Sequence, residues 1–172
     1  MRVKSSSGFT LLEFVVVILL LSLLGGVLLD RVSLYQEQAE KASMEQMVAS
    51  LRSALRLQIV DRMLNGRQGQ AKLVDDNPMH WLIGSPANYL GERFGPVAGS
   101  VPGGHWYFDL RDKTLVYVVA GRHFVANSAG HKEVRFQVRP VWSIKPQAGP
   151  DSADKQNIDS VILVLVEPYQ WF

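Results

Sequence analysis

The chain contains no cysteine. That excludes zinc fingers, iron–sulfur centres, thiol catalysis and a disulfide scaffold. It is also short of charge: Lys, Arg, Asp and Glu make up 20% of the residues, and the formal net charge is only +2. The basic residues form no stripe or cluster, so nothing in the charge pattern calls for nucleic acid. Acidic residues are missing from the first eight positions, MRVKSSSG, which carry Arg2 and Lys4. Glycine and proline are missing from Val27 to Asn65, an interval long enough for an uninterrupted helix.

What is present is unevenly distributed. The chain has 172 residues, 47% of them hydrophobic, yet much of that apolar content sits in one block. Phe9 to Leu29 reads FTLLEFVVVILLLSLLGGVLL, in which sixteen of twenty-one residues are Leu, Ile, Val or Phe. At ~1.5 Å per residue the block spans roughly 30 Å, the thickness of a bilayer core. Each large aliphatic residue contributes about −0.3 to −0.6 kcal/mol to insertion, and the block together roughly −5 to −10 kcal/mol. One glutamate, Glu13, costs at most about 3 kcal/mol even at the membrane centre. Insertion wins. Arg2 and Lys4 then predict a cytoplasmic N-terminus, with everything after Asp30 outside.

A cleaved secretory signal would need a shorter apolar region followed by an A-x-A-like site. This block is longer, contains an acidic residue and runs into LLDRVSLYQ without small-x-small spacing. A generic membrane anchor fits the length but leaves the buried carboxylate unexplained, since an intramembrane acid needs a partner or a proton.

Lys4-Ser5-Ser6-Ser7-Gly8 followed by Phe9-Thr10-Leu11-Leu12-Glu13 resembles the leader junction of type IV pilins and pseudopilins. The resemblance covers about the first 30 residues. It implies that a prepilin peptidase cuts between Gly8 and Phe9 and methylates the new amine of Phe9. It also implies that Glu13, at the fifth position of the mature chain, serves assembly by pairing with the amine of a neighbouring subunit. In such filaments the apolar helix often melts between a glycine and a proline. Gly25-Gly26 is here, but the proline is not.

Beyond Asp30 the pattern stays helical to about residue 65, with Met44, Met47, Val48, Leu51, Leu55, Ile59 and Met63 on one stripe at three- and four-residue steps. The methionines read as core filler. Residues 66–104 form a long connection rich in Gly and Pro, in which Asn77-Pro78 predicts the cap and first residue of a short helix running through Ile83. Strand periodicity follows. His105–Asp109 and Thr114–Ala120 flank the turn Leu110–Lys113 and predict a hairpin, while Arg122–Val125 either extends it or bends away. Val134, Phe136 and Val138 alternate with polar residues, and Val161–Val166 reads as a buried strand. The predicted organisation is therefore a leader at 1–8, a membrane or filament-core helix at 9–29, its amphipathic continuation at 30–65, the connection at 66–104, and a sheet domain at 105–172. The fold class is α+β: a long N-terminal helix packed on an antiparallel sheet of about four strands.

No reactive constellation emerges. His80, His105, His123 and His131 lack metal-ligand spacing, and Ser85 and Ser100 fit no nucleophile elbow. Phosphate-binding loops are absent, so no catalytic residue and no cofactor is expected. Asp151, Asp154 and Asp159 could offer oxygen ligands to a hard cation, but their spacing matches no calcium motif and a solvated loop is the preferred reading. The terminal aromatics Tyr169, Trp171 and Phe172 are expected to pack on the domain. The expected function is that of a minor pilin or pseudopilin of a type IV pilus or type II secretion machine. Its expected partners are prepilin peptidase, other pilin-like subunits and an inner-membrane assembly platform, with no nucleic acid. The expected location is the bacterial inner membrane as a single pass, with the C-terminal domain periplasmic. The competing readings are a membrane-tethered periplasmic binding module that never polymerises, and a secreted enzyme released by cleavage near residue 30.

Overall fold

The computed structural model describes residues 10–64, 71–95, 100–126, 130–142 and 158–172. Gly8, Phe9, Asp151 and Asp154 lie outside the described residues. The fold is α+β, and the chain divides after Ala39 into two units. Helix α1 runs Leu11–Leu64. Its part within the first unit holds the apolar block and the polar residues up to Ala39; from Glu40 onward it belongs to the unit that holds the sheet. Helix α2, Ala71–Val74, and a 3₁₀ turn, Pro78–Trp81, follow. The strands are β1 (Tyr89–Arg93), β2 (His105–Asp109), β3 (Thr114–Val118), β4 (Glu133–Trp142) and β5 (Ile158–Leu165). They lie side by side in chain order.

The stripe on α1 faces the sheet. Met44, Val48, Leu51 and Leu55 are buried among Trp106, Phe108, Leu115, Tyr117, Phe136 and Leu163, with Leu51 wholly inaccessible. Met47 and Ile59 pack on the margin of this cluster. Met63, expected on the same stripe, is 60% exposed, because the buried stripe runs only as far as Ile59. The β2–β3 hairpin keeps the expected first strand and turn, with His105 opposite Val118 and Asp109 opposite Thr114, while β3 ends at Val118 rather than Ala120. Asp109 closes the turn by accepting from the backbone N–H groups of Arg111 (2.9 Å) and Gly95 (3.0 Å). Gly103 lies so close to Ala120 that a Cβ there would stand 2.6 Å from the Ala120 Cα, so only glycine fits where the chain enters β2.

Three expectations change. The sheet has five strands rather than about four, and it is mixed: β1 pairs in parallel with β2 while the other pairings are antiparallel. The extra strand lies inside the 66–104 connection, where Gly91 at φ +86° and a bulge between Tyr89 and Glu92 hide it from any period-two reading. The expected short helix is a 3₁₀ turn that stops at Trp81, capped as anticipated by Asn77, whose Oδ1 accepts from Met79 N at 3.0 Å. Finally, β5 is not covered on both faces. Val161 and Leu163 are buried, but Ile162 between them is 47% exposed, and β5 is the last strand of the sheet.

Residues 122–125 bend away from β3, and Phe124 bridges to Trp171. The two rings meet edge to face at 5.3 Å, and Val125 N donates to Gln170 O at 3.1 Å. Trp171 is thereby buried, while Phe172 stays half exposed.

Candidate functional site on the apolar helix

The N-terminal part of α1 carries an 18-residue window of mean hydropathy 2.7, none of it buried. By length and composition the helix is long and apolar enough to cross a membrane. Fifteen large hydrophobic side chains between Leu11 and Leu29 are exposed, Leu11 at 82% and Leu29 at 71%. A continuous apolar sleeve of this kind is not stable against water and needs lipid or other helices around it. The helix continues unbroken through Gly25 and Gly26, and a Cβ at either would meet nothing within 4 Å. Ser22, in the middle of the apolar run, returns its proton to Ile18 O at 2.8 Å, so it presents little unmet polarity to an apolar medium.

Glu13 sits in the first turn. Thr10 precedes the helix as its cap: its Oγ1 accepts from Glu13 N at 3.3 Å and its carbonyl from Phe14 N at 3.1 Å. The T-x-x-E spacing is the sequence signature of a capping box. Sequence reasoning fixed on Glu13 and passed over Thr10, although that signature was available. The arrangement places a carboxylate at the positive end of the helix dipole, where negative charge is favoured. It also keeps the carboxylate at the edge of the apolar run. Phe9, the other half of the expected pair, lies outside the described residues.

The weaker sequence candidates do not assemble. Asp159 falls within β5. Among the described residues no group of three His, Cys, Asp or Glu side chains is placed to hold a metal ion. His80 stands 3.6 Å from Glu92, His105 faces Gly103 O, and His123 stacks near Phe172, so the histidines are dispersed.

Two polar sets in the sheet unit were invisible in the sequence. Glu40 Oε1 accepts from the Tyr117 hydroxyl at 3.0 Å and from Ala120 N at 2.8 Å, tying the helix to the end of β3. Burial, then the Glu40 charge, pushes the Tyr117 hydroxyl pKa well up. On the sheet face opposite the helix, Arg135 binds Glu133 at 2.8 Å and Asp112 at 3.3 Å. Tyr107 donates to Glu133 Oε2 at 3.4 Å. Burial and the Glu133 carboxylate push the Tyr107 hydroxyl up to about 12. These contacts brace the outer face of β2, β4 and the turn after β2.

No known family, no curated protein and no solved structure matches this chain. The functional reading therefore rests on the residues and on the geometry of α1.

Proposed function

We propose that this chain is a pilin-like subunit of the minor-pilin or pseudopilin kind, held in a bacterial inner membrane by α1 and built into a filament through it. The observation that carries the reading is a helix wholly uncovered over Leu11–Leu29, with a single carboxylate in its first turn. That helix leads without a break into the stripe packed on the sheet. A plain anchor has no use for Glu13. A subunit that must stop at a fixed axial register does, because a carboxylate meeting an ammonium group away from water attracts it strongly. On this reading prepilin peptidase cleaves after Gly8 and methylates Phe9. The Phe9 amine of one subunit then pairs with Glu13 of another while an assembly platform drives extraction from the membrane. The N-terminus is cytoplasmic and the sheet unit periplasmic, where it faces outward from the filament.

Mass spectrometry of the mature N-terminus is the test. A chain beginning at methylated Phe9 is expected, and Glu13→Ala is expected to insert and be cleaved normally while failing to enter filaments. An intact Met1 in the working protein would refute the reading and favour a tethered module. Cleavage near residue 30 with release into the soluble fraction would favour a secreted protein.

A further inference from the structure

Where β5 ends, the chain parts from β4. Val166 N donates to Arg135 O at 2.9 Å, so the next donor of an antiparallel ladder would be residue 168, opposite Glu133. Residue 168 is proline and has no N–H to give. The ladder stops there, and the Gln170 carbonyl accepts from Val125 N at 3.1 Å instead. Between the start of β4 and these two segments lies a cavity of about 240 Å³.

Val125, Ala126, Pro168 and the stacked rings of Phe124 and Tyr169 give the cavity apolar walls. Its charged lining is Glu133, Arg135 and Glu167. The guanidinium of Arg135 is already engaged twice, by Glu133 at 2.8 Å and by Asp112 at 3.3 Å. Three carboxylates therefore surround one cation, and the surplus charge is negative. The Glu133 side chain is only 7% exposed, so its field reaches the cavity with little screening by water. An anion entering here is repelled and a cation attracted.

We propose that this cavity binds a primary alkylammonium group, carried by a small free amine or by the lysine side chain of another protein. Size sets the class of ligand. At about 30 Å³ for each water-sized group the cavity holds roughly eight non-hydrogen atoms. That is below the ~300 Å³ at which sites for cofactors and larger ligands begin. Chemistry sets the rest. The apolar walls take the methylene chain, and the carboxylates, which only accept, meet an ammonium group that only donates. The site lies wholly within the sheet unit. It goes beyond the filament reading and stands whether or not Phe9 is processed.

Ligand-observed NMR titration of the full-length chain in detergent tests the site. n-Butylammonium is expected to bind saturably at neutral pH with a millimolar Kd, as a ligand of so few atoms allows. n-Butanol, of the same shape without the charge, is expected to bind roughly tenfold more weakly, the equivalent of one charge-assisted hydrogen bond. Butyrate is expected not to bind. Glu167→Gln, at an exposed position, is expected to weaken the ammonium about fivefold, the upper end for a partly exposed ion pair. Ala126→Phe, also at an exposed position, fills the cavity and is expected to abolish binding at an unchanged melting temperature. N-Acetyl-lysinamide binding as well as butylammonium would assign the site to a lysine of another protein, and binding of butylammonium alone would assign it to a free amine. No saturable binding, or butanol or butyrate bound as tightly as butylammonium, would overturn the proposal. So would an undiminished affinity in Glu167→Gln or in a folded Ala126→Phe.

Discussion

Replacing Glu40 by alanine isolates the polar contact that fixes α1 to β3. One carboxylate oxygen accepts from two donors, the Tyr117 hydroxyl at 3.0 Å and Ala120 N at 2.8 Å. Bonds to a charged acceptor contribute about 1.5–3 kcal/mol each, but the two donors differ in what they lose. Ala120 is exposed, and its N–H regains water. Tyr117 is 3% exposed, so its hydroxyl is left unpaired at a cost of about 1–3 kcal/mol. A net loss of about 2–4 kcal/mol follows, equivalent to roughly 10 °C in melting temperature for a unit of this size. Glu40→Gln keeps an acceptor of the same shape and removes the charge, so its loss is expected to be the smaller. The same substitution has a spectroscopic consequence. Burial is the larger cause of the raised Tyr117 hydroxyl and Glu40 the next, so in Glu40→Gln tyrosinate absorbance is expected at lower pH than in the parent, yet above the ordinary tyrosine range. Thermal unfolding of the full chain in detergent, followed by circular dichroism, reads the first effect and alkaline titration the second. A melting shift under about 2 °C for Glu40→Ala would refute the reasoning.

Alkaline pH should weaken the fold in a defined window. Tyr107 has its hydroxyl raised from 10.0 to about 12, and Tyr117 is raised as well. A raised folded value means the native state holds protons the unfolded chain gives up. Stability is therefore intact below pH 10 and declines as pH rises toward 12; denaturation midpoints measured across that interval check it, and a flat profile contradicts it. Asn77 is 2% exposed and donates to Tyr89 Oη at 2.7 Å and Glu92 Oε1 at 2.9 Å while capping the 3₁₀ turn. Asn77→Ala is expected to cost about 2–4 kcal/mol from the lost cap and stranded partners, read by urea unfolding. Leu51→Ala, at a site with no accessible surface, is expected to cost about 3–5 kcal/mol through the cavity it leaves.

Much of the architecture was legible because it is written in local period. The steps from Met44 to Ile59, the cap at Asn77, the hairpin about Leu110–Lys113 and the alternation at Val134–Val138 are short-range patterns, and each has its counterpart in the structure. Strand β1 escaped notice because five residues with a central glycine and two charges carry no period. The position of β5 escaped for a different reason. An apolar run says that a strand has little contact with water, but strand order is a property of the whole sheet. The Glu40–Tyr117 contact joins residues 77 apart, and neither residue type signals its partner. At the apolar helix, Glu13 stood out through contrast with its surroundings, whereas Thr10 was hidden among ordinary small residues although the spacing to Glu13 marks a cap.

The seat of α1 on the sheet also limits how the helix can slide along it. Advancing the helix by one residue moves it about 1.5 Å and turns it about 100°. Met44, Val48, Leu51 and Leu55 would then be replaced at the core by Glu45, Ala49, Arg52 and Arg56, three of them charged. A three-residue advance brings Met47, Leu51, Ala54 and Gln58 inward, which halves the large apolar contacts and inserts an amide. An advance of one or three residues is therefore penalised, so the apolar stripe fixes the register of the helix on the sheet.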